Sequence, residues 1–179
     1  MPERVSSPRF VGRLEELGEL EAALARAEEG DATTVVLGGE AGIGKTRLVR
    51  QFADLAQRRG ARALSGGCIE LLHGVVPYAP LVEALRTLAT DLPADELDRV
   101  LGTARPELAR LVPSLAEGGA PAPGIGGAAA AQSVLFEHVL CVLQRLGERS
   151  PVILVLEDLH WADPSTRDLL MFLARNLRR

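Results

Sequence analysis

The stretch Thr33-Thr34-Val35-Val36-Leu37-Gly38-Gly39-Glu40-Ala41-Gly42-Ile43-Gly44-Lys45-Thr46 decides how this chain is read. Thr33 to Leu37 is a short β-branched run closed by two glycines, and beyond the loop a helical pattern runs from Lys45 to about Arg59. The prediction is strand, glycine loop, helix. In such a turn backbone N–H groups converge on phosphate oxygens, and the helix N-terminus adds the positive end of its dipole. Gly39, Gly42 and Gly44 permit backbone angles and close approaches denied to residues with a Cβ. Lys45 reaches the β- and γ-phosphates, and Thr46 places its hydroxyl on Mg²⁺. A plain glycine turn before a helix is the bland alternative. The complete G-x-x-x-x-G-K-T spacing, in the strand-loop-helix context that confirms it, selects a cradle for ATP-Mg²⁺.

Outward from this loop, the chain reads as one α/β unit. Leu14, Leu17, Leu20 and Leu24 recur at helical spacing, predicting an amphipathic helix over roughly 13 to 29 that Gly30-Asp31 ends. A second strand is expected at Ala61 to Leu64, followed by a glycine and cysteine turn and an irregular stretch up to Pro80. Leu81 to Ala89 and Asp95 to Val112 read as short helices, and 113–131, rich in Gly, Ala and Pro, as a mobile linker. Gln132 to Leu146 resumes helical periodicity. Pro151 to Leu156 is a continuous apolar run, the pattern of a parallel strand buried on both faces. Asp163-Pro164 suits an N-cap with proline at the first helical position, opening a final helix.

Bulk properties exclude several classes. The chain has 179 residues, enough for one ordinary domain, and 47% hydrophobic content supplies a core. A formal net charge of −4 offers no general electrostatic reason for nucleic-acid binding, so no direct DNA contact is expected from this segment. Cys68 and Cys141 form no C-x-x-C pair and read as buried free thiols. No stretch approaches about 20 uninterrupted apolar residues, and Met1 is followed by Pro, Glu and Arg, so neither membrane insertion nor secretion is signalled and a cytoplasmic protein is expected.

The acidic end of the apolar run carries the second piece of chemistry. Phosphate-loop enzymes hold Mg²⁺ with a carboxylate at the end of a neighbouring strand, and hydrolysing ones add another to polarise the attacking water. Glu157 and Asp158 occupy that position, and Asp158 is the residue expected to orient water. An acidic turn after a core strand would explain them in isolation; the upstream loop favours the functional reading. His160 reads equally well as a γ-phosphate sensor or a packing residue, and Trp161 as a packing residue.

Three motifs resemble the signal-transduction ATPases of the AAA+ and STAND type, as found in large LuxR-type transcription regulators and related nucleotide cyclases. They are Phe10-Val11-Gly12-Arg13 with Glu15-Glu16-Leu17 following, the loop from Gly39 on through Arg47-Leu48, and Leu154-Val155-Leu156-Glu157-Asp158-Leu159-His160-Trp161-Ala162-Asp163-Pro164-Ser165-Thr166. Together they span nearly the whole chain. The resemblance implies a P-loop NTPase fold, a parallel sheet flanked by helices, with about three core strands present in 1–179 and a sensor strand, lid and output domain absent. It implies adenine-side contacts from Val11, Gly12 and Arg13; on bare physical grounds Arg13 is a solvated charge at a helix start. It extends the phosphate-loop contacts through Glu40, Ala41, Ile43 and Arg47. Many relatives have Asp where this chain has Glu157.

The resulting expectation is a module that binds ATP and hydrolyses it slowly as a signalling switch, exchanging ATP for ADP and associating with itself or a protein partner. Two other classes share the loop. A small-molecule kinase needs an arginine-bearing lid, which no segment suggests, and a non-catalytic interaction module would hold nucleotide for structure alone. A DNA-loading ATPase would require a basic face that this composition lacks.

Overall fold

A computed structural model describes residues 12–71, 74–116 and 128–177. The first helix, α1 (Leu14–Glu28), buries Leu17, Leu20 and Leu24, and the acidic Glu15 and Glu16 lie in its first turn, where the helix dipole favours them. Helix α2 (Lys45–Arg58) follows the glycine loop and buries Leu48, Phe52 and Ala56, one residue per turn along a single face. These two stripes meet, with Ala61, in one apolar cluster against which Leu37 and Ile153 pack. An exposed Arg59–Glu21 ion pair of 2.9 Å spans the two helices and adds little.

After a turn at Gly60 (φ 88°), the chain enters β1 (Arg62–Gly67), which runs past the predicted end at Leu64. A short antiparallel pair, β2 (Glu70–Leu71) and β3 (Gly74–Val75), follows in what the sequence suggests is irregular chain. Helices α3 (Ala79–Asp91), α4 (Ala94–Leu101) and α5 (Arg105–Leu111) then lead to the long α6 (Ala128–Gly147). Strand β4 (Val152–Glu157) lies parallel to β1, with Arg62 opposite Val152 and Gly67 opposite Glu157. The last helix, α7 (Pro164–Asn176), is capped by Asp163, whose carboxylate accepts from the N–H groups of Ser165 and Thr166.

The alternation of a strand separates two cores. Val152 and Leu154 face a large cluster built from α3 to α7, while Ile153 faces α1 and α2. Leu88, Leu101, Leu108 and Leu115 in the large cluster are almost wholly buried. Arg145 of α6 donates to the carbonyls of Val100 and Leu101, satisfying the end of α4. No helix among the described residues is long and apolar enough to cross a membrane.

Two sequence expectations need correction. Thr33 to Leu37 forms no strand: residues 31–40 carry no regular structure, and the parallel sheet among the described residues has two strands instead of about three. A strand is held by ladder hydrogen bonds to a neighbour, and here β1 and β4 pair with each other alone. β-branched composition does not substitute for that partner, and Val36 is 80% exposed. The linker expected at 113–131 is also shorter. Pro113–Leu115 is a 3₁₀ turn that buries Leu115, and α6 begins at Ala128, because a run of alanines is a strong helix former as well as a low-complexity signal. Residues 117–127 lie outside the described residues.

Helix α3 sits unusually close to β1. A Cβ on Gly66 would fall 2.0 Å from the carbonyl oxygen of Pro80 and 2.6 Å from its carbon. Both are backbone atoms of a buried helix start, so they cannot swing aside. Gly66→Ala is therefore expected to destabilise the fold by about 2–3 kcal/mol, whereas Gly67→Ala, with nothing within 4 Å of its added Cβ, should be nearly neutral. Urea unfolding of the two variants, compared by midpoint, checks this.

Candidate functional site

The loop between Gly39 and Lys45 is shaped by three glycines in the left-handed half of backbone space, Gly39 (φ 149°), Gly42 (φ 81°) and Gly44 (φ 95°). At Gly39 a Cβ would touch the Ile43 side chain at 3.4 Å and Lys45 Cδ at 3.9 Å, so the loop folds back over the space a side chain would fill. Gly44 caps α2 without any side-chain hydrogen bond to the helix N-terminus, and its carbonyl accepts from Leu48 N–H at 3.0 Å. The first-turn N–H groups of α2 therefore face outward with the dipole behind them. Lys45 Nζ donates to the carbonyls of Gly39 (2.7 Å) and Glu40 (2.9 Å), which holds its ammonium over the loop. Thr46 and Ala41 are exposed beside it, as is Arg47, which lies in the first turn of α2.

Connectivity brings the acidic pair to the same end of the sheet. Helix α2 ends at a tight turn into β1 and packs back along the sheet, so its N-terminus lies toward the C-terminal ends of β1 and β4. Glu157 is the last residue of β4, half-buried, and its carbonyl accepts from Cys68 N–H at 3.0 Å. Asp158 follows in the left-handed conformation (φ 57°), which turns the chain sharply out of the strand and leaves it exposed. A 3₁₀ turn, Leu159–Trp161, stacks the rings of His160 and Trp161 at 5.0 Å, both exposed to solvent. Among the described residues no three His, Cys, Asp or Glu side chains are grouped to hold a metal ion.

Of the residues expected on the adenine side, Val11 lies outside the described residues. Gly12 (φ 89°) is exposed, and Arg13 is half-buried at the start of α1, where its guanidinium donates to the carbonyl of Ile43 at 2.9 Å. An open concavity of about 250 Å³, lined by residues including Gln57, Arg62 and Asp91, lies at the N-terminal end of β1, away from the loop.

The structure adds a tie that sequence reasoning missed. Asp163, 5% exposed, accepts from the hydroxyl of Thr166 and from Tyr78 N–H (3.3 Å) besides the two capping N–H groups. Tyr78 N–H also reaches Thr166 Oγ1 at 3.0 Å. The start of α3 is thereby fastened to the turn after the acidic strand. The cap was legible in Asp163-Pro164; the bond to Tyr78 joins residues too far apart in sequence for any local pattern to show. Cys68 is buried beside this tie. Burial, and then the negative charges of Asp163 and Asp158, push its thiol above the ordinary value.

Burial opposes ionisation of Asp163 more than any single partner favours it, but the hydrogen bonds from Thr166, Tyr78 and Ser165 together hold its carboxyl below the usual range. Because the folded value is depressed, the stabilisation is present above the unfolded value of about 3.9 and is lost as pH falls through the folded one. Asp163→Asn keeps a capping oxygen but turns a donor toward Tyr78 N–H. It should destabilise by about 1–2 kcal/mol at pH 7, and the gap from the wild type should narrow below about pH 4, as measured by thermal unfolding across pH.

Comparison with known proteins identifies the family. The family profile of the AAA ATPase domain matches residues 9–179. An uncharacterized protein of Rhizobium meliloti (strain 1021) is 27% identical over 155 residues, covering 82% of this chain. The chain spans only 15% of that protein's length. No solved structure matches significantly. The profile covers the glycine loop, the acidic strand end and nearly every element between and around them, and the chain belongs to the AAA ATPase domain family.

Proposed function

We propose that this chain binds ATP-Mg²⁺ at Gly39–Thr46 and hydrolyses it slowly, serving as the nucleotide-dependent switch of a larger cytoplasmic regulator of the LuxR or STAND type. The observation that carries the reading is the loop itself: three left-handed glycines, an α2 N-terminus without a side-chain cap, and a lysine ammonium resting on the loop's own carbonyls. Lys45 would exchange those carbonyls for phosphate oxygens, a charge-assisted contact stronger than the neutral ones it leaves. The N–H groups of Gly42, Gly44, Lys45 and Thr46 would receive the remaining phosphate charge. Thr46, with Glu157 or Asp158, would hold Mg²⁺, which supplies charge neutralisation between the phosphates when bound.

The two carboxylates divide by position. Glu157 is half-buried at the strand end, suited to a fixed metal contact, whereas Asp158 is exposed in a left-handed turn, suited to orienting water. Val11 and Gly12 would lie on the adenine side, and Arg47 near the phosphates. A helix that begins at the ligand can transmit nucleotide state to whatever packs on α1 and α2, which suits self-association or a protein partner. A second reading, nucleotide held for structure without turnover, is favoured by the unpaired chain at 33–37, since the loop then has a helix anchoring only one of its ends.

Calorimetry with ATP-Mg²⁺ on the wild type and on Lys45→Ala, with phosphate release followed in the same samples, separates these. Lys45→Ala should weaken binding by about a hundredfold or more while remaining folded. Asp158→Asn should keep ATP binding and lose most phosphate release, by about 10²-fold. Binding without release in the wild type would leave the structural reading in place, acceptor-dependent transfer would indicate a kinase, and a folded wild type that binds no ATP would end the proposal.

A further inference from the structure

Arg13 occupies a conformation that a long side chain adopts at a cost. Its backbone sits at φ 60°, ψ 35° at the head of α1, and its own side chain makes no capping hydrogen bond to the helix. From there the guanidinium reaches the Ile43 carbonyl at 2.9 Å. Ile43 has little else to hold it: its side chain is 50% exposed, and its N–H meets the Glu40 carbonyl only at 3.4 Å. The carbonyls of Gly39 and Glu40 are secured by Lys45, the same group that phosphates would draw away.

The peptide plane gives that contact its consequence. The Ile43 carbonyl and the Gly44 N–H belong to one trans peptide and point in opposite directions. Fixing the carbonyl toward the guanidinium fixes the N–H away from it, at the residue that opens α2. We propose that Arg13 is a positioning residue for the phosphate loop, setting the Gly44 N–H through the Ile43 carbonyl, so that it governs affinity for the phosphates and not for the base. This deepens the ATP-binding reading and rests on it.

The test uses two probes, ATP-Mg²⁺ and tripolyphosphate-Mg²⁺, the second having neither base nor sugar. Arg13→Asn suits the left-handed backbone and lacks the guanidinium's reach, so it removes the contact without adding strain. It should weaken both probes by about tenfold and to the same extent, with an unchanged melting temperature, while Arg13→Lys should recover only part of the loss. In the ligand-free chain, hydrogen exchange at Ile43, whose N–H meets the Glu40 carbonyl, should quicken in Arg13→Asn and stay unchanged in α3 to α6. Loss of ATP affinity with tripolyphosphate affinity intact would assign Arg13 to the base and overturn the proposal. Unaltered exchange at Ile43 would overturn it too. If the wild type bound neither probe, the nucleotide reading would fall by itself, and the exchange comparison would still decide whether Arg13 positions the loop.

Discussion

Everything at the candidate site is positioned by the parallel pairing of β1 with β4. The register that sets Gly67 opposite Glu157 brings the acidic strand end level with the turn leading out of β1. Because α2 feeds β1 through a tight turn at Gly60, the same pairing sets the direction in which the glycine loop is presented. Among the described residues the ladder is two strands wide, so its faces depend on cover from both sides. On one side, Ile153 receives α1 and α2; on the other, Val152 and Leu154 receive the helices from α3 to α7. The near-contact of Gly66 with Pro80 measures how tightly that second layer is pressed down.

Local patterns were legible where one element carried its own signal. The stripes of α1 and α2, the cap at Asp163 and the apolar run of β4 all emerge near their predicted bounds, because periodicity and capping chemistry are local properties. The glycine loop was legible for the same reason, its spacing reflecting backbone geometry within a few residues. What could not be read depended on distant partners. Thr33 to Leu37 has strand composition and no strand, since pairing is decided elsewhere in the chain. The bond of Tyr78 to Asp163 and that of Arg13 to Ile43 likewise join separate segments.

Composition misled at 113–131 for a different reason. Alanine is both a low-complexity residue and the best helix former, so the same letters support linker and helix. At Ala128 the helical option prevails, as the downstream apolar face of α6 has a core to pack into. Leu115 is drawn into that core as well, shortening the connection from its other side.

The distance in sequence between the paired strands has a kinetic meaning. About 90 residues separate Arg62 from its ladder partner Val152, and closing so long a loop carries an entropic cost before any hydrogen bond forms. The helices from α3 to α6 lie inside that span and make contacts of much shorter range, which form earlier in folding. The intervening helical layer thus acts as an internal scaffold: once collapsed, it shortens the effective loop and delivers β4 to β1. The elements that would deliver β4 to β1 carry none of the candidate ligands.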